Sequence, residues 1–141
     1  MKRSFLLVLP ISLLLALSAV AEPTPQHAAA CVAALQTEAE GLAQQFRDGN
    51  SEVEPELVHR VEQGFAFIGS AYKQGLRGEE ADRLLKAAAK AQEELPKAEL
   101  SERQAACRAE GAELLVRANV LERAFVTQAA QRRVARLKRP H

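Results

Sequence analysis

Aromatic residues are scarce in this sequence, which has no tryptophan, one tyrosine and five phenylalanines among its 141 residues. Hydrophobic residues nevertheless make up 48% of the chain, so a core has to be built mainly from leucine, valine and alanine. Alanine and leucine favour helices, whereas strands are usually richer in aromatic side chains. The composition therefore predicts closely packed helices, and the length suits a single domain.

Cysteine is nearly absent as well. The two cysteines, Cys31 and Cys107, are far apart, so the C-x-x-C of thiol oxidoreductases and the C-x-x-C-H of haem attachment are both missing. Each cysteine lies on the apolar side of a predicted helix. We expect them to form one structural disulfide, which in the chain-entropy model contributes at most about 4 kcal/mol.

Acidic residues are missing from the C-terminal end, where none follows Glu122. The formal charge of the whole chain is only +1, so net charge points to no partner. The basic residues of this end are Arg123, Arg132, Arg133, Arg136, Lys138 and Arg139. Residues 132–141 are predicted to form a basic tail that projects beyond the bundle, because Arg132 and Arg136 continue the helix face on which the apolar stripe stops. Cations also complement the exposed carbonyls of a helix C-terminus, so a basic end is not by itself a binding site.

Long hydrophobic runs are confined to the N-terminus. Two basic residues precede an apolar segment at residues 5–17, and a small-x-small cleavage site ends at Ala21. This pattern predicts a secretory signal peptide over residues 1–21, followed by a single helical domain over residues 22–141.

An uncleaved membrane anchor is the alternative for this segment. Pro10 and Ser12 interrupt it, however, and it is short for a bilayer span. A lipoprotein would need Cys31 directly after the apolar segment, and residues 22–27 intervene. We therefore expect the mature chain in the periplasm or outside the cell, and not as an integral membrane protein.

Apolar residues recur at helical spacing in four stretches. The first runs from about residue 26 to 47 and ends before a turn cluster at residues 48–51, and the second starts near Glu54. The third runs from about residue 79 to 95 and is stopped by Pro96.

The fourth stretch is the longest and is predicted as one helix from Ser101 to about Lys138. Ser101 and Gln104 fit a capping box at its start. Its apolar face consists of Cys107, Gly111, Leu114, Ala118, Leu121, Phe125 and Ala129. We expect this face to anchor the fold, with the shorter helices packed against it.

Together the stretches predict an all-α fold, a small helical bundle of about four helices with a long C-terminal helix and one disulfide. In a regular up-and-down bundle the first and fourth helices are antiparallel. Cys31 and Cys107 would then lie at opposite ends, because each lies early in its helix. Two arrangements remain open. Either the fourth helix begins partway along the bundle, or the third helix lies across one end.

The second helix has an apolar stripe that is expected to face the core: Leu57, Val58, Val61, Phe65, Ile68, Tyr72 and Leu76. Phe67 points almost opposite this stripe. We therefore expect Phe67 to be exposed and Phe65 to be buried, and an exposed phenylalanine is a candidate partner contact.

Patterns typical of catalysis or metal binding are not found. Glu56 and His59 match half of the E-x-x-H motif of di-iron bundles, but the motif occurs once, on a face turned away from the apolar stripe. No serine lies in a G-x-S-x-G elbow, and there is no glycine-rich phosphate loop. The sequence predicts no catalytic, metal or cofactor residue and no cofactor.

These observations predict an exported, non-enzymatic helical protein with an interaction or accessory role in the cell envelope. Its partner would be a protein or an anionic envelope surface. The candidate contact residues are Phe67, Arg132, Arg133, Arg136, Lys138 and Arg139. Nucleic acid is not expected, because base-stacking aromatic residues are missing from the basic end. The alternatives are anionic-surface binding through the basic end, and a metal- or thiol-dependent enzyme whose site the sequence does not locate.

Overall fold

A computed structural model of the chain describes residues 21–138. The predicted signal peptide, apart from Ala21, and residues 139–141 lie outside the described residues. Within the described part, the regular elements are five α-helices and one 3-10 turn at Ser51–Val53. The helices are α1 (Pro25–Arg47), α2 (Glu54–Lys73), α3 (Gly78–Glu93), α4 (Lys97–Arg117) and α5 (Val120–Leu137). The prediction of an all-α fold is confirmed, with one helix more than the four expected.

The disulfide joins the first third of α1 to the middle of α4. Cys31 and Cys107 are bonded, with their Cα atoms 5.3 Å apart, which confirms the predicted pairing. His27, one turn before Cys31, lies against Glu110, nearly one turn after Cys107. The two helices therefore run in opposite directions.

The start of α4 explains how an antiparallel bundle accommodates this bridge. The helix begins at Lys97, directly after Pro96, and not at Ser101. Ser101 and Gln104 lie inside the helix, so the predicted capping box is wrong. The four additional residues place Cys107 midway along α4, opposite Cys31.

The alternative in which the third helix lies across one end of the bundle is wrong. One end of α3 packs near the start of α1, where Ala81 and Ala28 line the same cleft. Towards its other end, Gln92 donates a hydrogen bond of 2.6 Å to the Thr37 hydroxyl. The third helix therefore runs alongside α1 in the same direction.

The predicted long C-terminal helix is divided in two at Ala118 and Asn119. The Asn119 side chain accepts from the Glu122 N–H at 2.9 Å, and the Glu122 carboxylate accepts from the Asn119 N–H at 3.2 Å. This reciprocal pair is a capping box, which starts a new helix. The prediction of one helix from Ser101 to Lys138 is wrong because the apolar spacing continues across the bend and does not reveal it.

The centre of the bundle is the pair α1 and α2, and not the C-terminal helix. The first helix packs on α2, α3 and α4, while the second packs on α1, α4 and α5. The main core cluster comes from α1, α2 and α4, and its members are Ala28, Cys31, Ala34, Leu35, Phe67, Ala71, Cys107 and Leu114. A second cluster consists of Ala43, Leu57 and Val134. It joins the C-terminal part of α1 and the N-terminal part of α2 to the C-terminal end of α5.

The end of α5 packs against the bundle. Val134 is 1% exposed and lies in the second core cluster, and Leu137 packs against that cluster. The prediction of a projecting tail is wrong for its described part. Arg132 and Arg136 are exposed on one side of α5, while Val134 and Leu137 dock on the other.

The segment before α1 is bound to the end of α2. The Ser70 hydroxyl donates to the Glu22 carboxylate at 2.6 Å, and the Gln74 amide donates to the Pro23 carbonyl at 2.7 Å. The sequence places the start of the first helix near residue 26. These two contacts hold residues before that point against α2 and bring Glu22 next to Ser70.

Candidate functional site

The C-terminal half of the apolar stripe of α2 faces largely away from the main core, whereas Leu57 at its start is buried in the second cluster. Ile68 and Tyr72, both predicted to be core residues, are 48% and 59% exposed. Phe67 is fully buried, and Phe65 is only partly buried. The prediction that Phe67 is the exposed phenylalanine is therefore wrong. The helix is rotated by roughly 130° about its axis from the orientation that its apolar stripe suggests, at 100° per residue.

Buried polar side chains hold α2 in this orientation. Arg60 and Gln63 lie on its inner side, and Arg60 donates a hydrogen bond of 2.8 Å to Gln63. Arg60 also lies 3.3 Å from the carboxylate of Glu38 on α1, and Gln63 donates at 3.1 Å to the carbonyl of Arg108 on α4. Because a buried polar group without its partner is costly, these contacts favour one rotation of the helix. An apolar surface is left on the outside.

One depression on that outer surface is a groove of about 470 Å³ between α2 and the bend from α4 to α5. We call it the α2–α5 groove. It is lined by Phe65, Ala66, Gly69, Ser70 and Lys73 of α2, by Leu114, Leu115, Arg117, Ala118, Leu121, Glu122, Phe125 and Val126 around the bend, and by Glu22. Its volume and mostly apolar lining are typical of ligand sites.

The α2 wall of the groove is low, because Ala66 and Gly69 have small side chains or none. A Cβ built at Gly69 would meet no atom within 4 Å, so the space next to this residue is unfilled. From Phe65 to Lys73 the wall is about 12 Å long, or roughly two helical turns. A low wall of this kind allows another backbone to approach closely.

The opposite wall presents large apolar side chains to solvent. Leu121 and Phe125 on α5 are 80% and 72% exposed, although the sequence predicts both as core residues. Arg132 and Arg136 lie on the same face of α5, within about 60° of these two at 100° per residue. The exposed face of α5 is thus apolar beside the groove and basic beyond it.

An ion pair closes one end of the α2–α5 groove. Lys73 Nζ lies 2.7 Å from the carboxylate of Glu122, which also belongs to the capping box of α5. The hydrogen bond from Lys73, and then that from the Asn119 N–H, lower the pKa of the Glu122 carboxyl below its ordinary range. The carboxylate therefore stays charged, and the pair stays formed, in mildly acidic solution.

A second cleft, of about 280 Å³, lies between α1, α2 and α3. Ile68 and Tyr72 border it, and the Arg77 guanidinium lies 3.2 Å from the centre of the Tyr72 ring. This cation–π contact covers part of its edge. The α2–α5 groove, larger and with more exposed apolar side chains, is the stronger candidate.

The residues predicted to contact a partner are separated by the structure. Arg132, Arg133 and Arg136 are exposed, whereas Phe67 lies in the main core. Lys138 pairs with Glu54 at 2.9 Å, and Arg139 lies outside the described residues. Glu56 and His59 match half of the di-iron E-x-x-H motif. In the structure, Glu56 accepts a hydrogen bond from Arg60, and His59 lies 3.4 Å from Glu62.

Sequence reasoning missed the residues that make the groove, above all Gly69, Leu121 and Phe125. One signal pointed to them. Asn119 and Glu122 have the spacing of a capping box, and a helix start there would separate Leu121 and Phe125 from the apolar face of the preceding helix.

Comparison with protein-family models, with curated proteins and with solved structures found no match to this chain. Among residues 21–138, no helix combines the length and the hydropathy needed to cross a membrane.

Proposed function

We propose that this protein is an exported, non-enzymatic binding protein of the cell envelope that holds an amphipathic helix of a partner protein in the α2–α5 groove. The observation that carries the proposal is the unfilled space next to Gly69, opposite the exposed side chains of Leu121 and Phe125. Exposed apolar side chains of this size beside an apolar groove are typical of interaction sites.

A helix suits this groove better than a small ligand does. The α2 wall of the groove is low at Ala66 and Gly69, which lets a helix backbone come close. A partner helix would place apolar residues at i and i+4 against Leu121 and Phe125, in the mode of a helix docked in a groove.

The charge of α5 favours a particular kind of helix. Arg132 and Arg136 follow Phe125 on the same exposed face, about 10 and 16 Å further along α5. A partner helix lying along this face would complement them with acidic residues about two to three turns beyond its apolar anchors. The proposed partner is therefore an amphipathic helix with an acidic end.

The test uses the chain from Glu22 onward and a designed helical peptide of about 16 residues, which matches the roughly 22 Å from Leu121 to Arg136. The peptide carries leucines at i and i+4 and glutamates at one end, with a fluorescent label for anisotropy. Gly69→Leu should weaken binding at least about tenfold, because the new side chain fills the groove. Gly41→Leu is the matched control. Gly41 is an exposed glycine in the C-terminal half of α1, and a Cβ added there would meet no atom within 4 Å, so binding should not change.

Other occupants give different results. A dimer that Gly69→Leu converts to monomer in sedimentation experiments would identify a second copy as the occupant and overturn the proposal. Displacement of the peptide by a fatty acid, together with equal binding of a peptide lacking glutamates, would indicate an acyl chain. Equal affinity of the Gly69→Leu variant and the parent chain would exclude the groove.

The exposure of Arg132, Arg133 and Arg136 favours a second candidate function, binding to an anionic surface of the envelope. Replacing all three by glutamine should abolish sedimentation with vesicles rich in phosphatidylglycerol at low salt, since surface attraction is screened as ionic strength rises. The control variant replaces Arg83, Lys86 and Lys90 by glutamine. These three residues are exposed on α3, so the control removes the same amount of positive charge from a different surface. Equal loss in both triple variants would argue against a site on α5.

A further inference from the structure

Three potential metal ligands converge beside the disulfide. His27 Nε2 lies 2.6 Å from Glu110 Oε2 and 3.7 Å from Cys31 Sγ, and all three atoms lie within 4.8 Å of one another. Cys107 Sγ is bonded to Cys31 Sγ but is not one of these three mutually close atoms. The four side chains come in two pairs, one from each of two helices. His27 and Cys31 are four residues apart on α1, and Cys107 and Glu110 are three residues apart on α4.

Helical spacing places each pair on one side of its helix. Residues at i and i+4, or at i and i+3, project from the same face and are neighbours on the helix surface. The i, i+4 spacing is also the one by which two ligands of a single helix bind zinc in H-E-x-x-H enzymes. The disulfide positions α1 against α4 so that the two pairs face each other.

While Cys31 and Cys107 are bonded, their sulfur atoms are not thiolates and do not offer a metal the charge it requires. We propose that the reduced protein binds one divalent zinc-class ion at this place, with Cys31, Cys107, His27 and Glu110 as its four ligands. The donor set, two thiolates with one imidazole and one carboxylate, belongs to the group of ligands that zinc takes in a tetrahedral site.

Two of the ligand distances are close to those of such a site, whereas the two sulfur atoms would have to separate to about 3.8 Å after reduction. With Zn–S near 2.3 Å and Zn–N near 2.05 Å, the sulfur and nitrogen ligands of a tetrahedral ion are about 3.6 Å apart. Cys31 Sγ and His27 Nε2 are already 3.7 Å apart. The nitrogen and oxygen ligands would be about 3.3 Å apart, so Glu110 and His27 need to separate by less than an ångström from their present 2.6 Å.

Burial also suits a metal site. Both cysteines are at most 1% exposed in the main core, while the His27 and Glu110 side chains are 51% and 31% exposed. The sulfur ligands are thus shielded from water, and the other two leave an entry path from solvent. The His27 ring packs edge-on against Phe67, with centroids 6.4 Å apart, which limits its rotation.

The electrons and protons balance with a dithiol reductant. The dithiol gives two electrons and two protons to the bridge, so the bond between Cys31 and Cys107 breaks, both become thiols, and the reductant becomes a disulfide. Zinc then binds the two sulfurs as thiolates, and two protons pass to water. The disulfide form of the dithiol reverses the sequence: it takes two electrons from the thiolates and two protons from water, the bond between Cys31 and Cys107 re-forms, and the ion is released.

The experiment uses the chain from Glu22 onward, reduced with a phosphine, which becomes a phosphine oxide with oxygen taken from water. Co²⁺ serves as the spectroscopic probe and Zn²⁺ as its competitor. We expect one Co²⁺ per chain, with a thiolate-to-metal charge-transfer band and the visible bands of a tetrahedral ion. The oxidised protein should bind none.

Variants assign the ligands. His27→Ala and Glu110→Gln should each weaken Co²⁺ binding at least about tenfold, since changes to groups that merely orient a ligand already cost about ten- to a hundredfold. His59→Ala and Glu113→Gln are matched controls on α2 and α4 and should leave the affinity unchanged. Equal affinity of the His27 variant and the parent would overturn the proposal, as would Co²⁺ bound without a thiolate band.

Reduction could also unfold the chain, and this outcome is informative too. Far-ultraviolet circular dichroism of the reduced, metal-free protein measures its helix content. If helix is lost, stoichiometric Zn²⁺ should restore it in the parent and in His59→Ala, but not in His27→Ala, because ligation stabilises only a chain that brings the four groups together. Failure of zinc to restore helix in the parent would contradict the site.

Discussion

Lys73 and Glu122 form an ion pair of 2.7 Å that links the end of α2 to the start of α5, and the pair from Lys138 to Glu54 links the opposite ends of the same two helices. The two helices are therefore antiparallel neighbours joined at both ends. Between these ends, the α2–α5 groove separates them.

Glu122→Gln tests the ion pair at the groove. Glutamine keeps the length and the hydrogen-bond acceptor of the capping box but removes the charge that pairs with Lys73. We expect a small decrease in the urea midpoint at neutral pH and faster amide exchange over residues 119–126. The matched variant Glu113→Gln removes an exposed carboxylate from α4 and should leave both measurements unchanged.

The pH dependence of that difference follows from the lowered pKa of Glu122. A carboxyl with a lower pKa in the folded than in the unfolded chain contributes stability that is fully present above the ordinary glutamate pKa, about 4.3. The contribution is lost as the pH falls through the lower folded value. Urea midpoints of the parent and Glu122→Gln should therefore differ by a constant amount above about pH 5 and converge in more acidic solution. A difference that grows as pH falls would contradict this sign.

The two phenylalanines of α2 should differ in a direction opposite to the one their helical pattern predicts. Phe67 is fully buried, so Phe67→Ala should cost roughly 3–5 kcal/mol of unfolding free energy by leaving a cavity in the main core. Phe65 lines the groove and is partly exposed, so Phe65→Ala should cost clearly less. Chemical denaturation of the two variants under the same conditions measures both values, and equal costs would mean that α2 is rotated differently.

Two glycines inside helices should respond differently to alanine. Gly64→Ala should stabilise the protein by about 0.5–1 kcal/mol, since alanine favours helix and the new Cβ meets no atom within 4 Å. At Gly111, the same Cβ would lie 3.0 Å from Gln63 Cβ and 3.2 Å from a ring carbon of Phe67. Because both neighbours are buried, Gly111→Ala should be destabilising by about 1–2 kcal/mol. Thermal or urea unfolding of both variants decides this, and similar stabilisation at both sites would mean that α2 and α4 are less closely packed.

The end of α5 should contribute to stability, contrary to the expectation of a projecting tail. Val134→Ala should lower the unfolding free energy by about 2 kcal/mol, because Val134 is 1% exposed in the second core cluster. Truncation after Ala130, which also removes Leu137, should lower it further. Arg133→Ala, at an exposed position beside Val134, provides the control. An unchanged urea midpoint for the truncated chain would mean that α5 is not docked at its end.

Sequence reasoning locates most of the helices and the disulfide, because these depend on local spacing and on the presence of just two cysteines. The start of α2, for example, is expected near Glu54, where the structure has it. Errors arise where more than one start signal is present. Ser101 and Asn119 both begin a capping-box pattern, and the structure forms the box at Asn119.

The rotation of α2 cannot be predicted by a reading of apolar periodicity. That reading assumes that the most apolar face of a helix is the buried one. Here Arg60 and Gln63 are buried instead, and their partners, Glu38 and the carbonyl of Arg108, come from two other helices. Such long-range pairs cannot be found by helical spacing within α2. The same limit conceals the contact of His27 with Glu110, which are 83 residues apart.

The disulfide encloses part of the chain and leaves the rest outside. Bonding Cys31 to Cys107 makes a covalent ring that contains α2, α3 and parts of α1 and α4, whereas the whole of α5 follows the ring. The bridge therefore restricts the unfolded states of the ring but not those of α5. An α5 that detaches from its own α2 is free to dock on the α2 of another chain without any bond being broken, and the short connection at Ala118 and Asn119 is the hinge at which such an exchange between chains would occur.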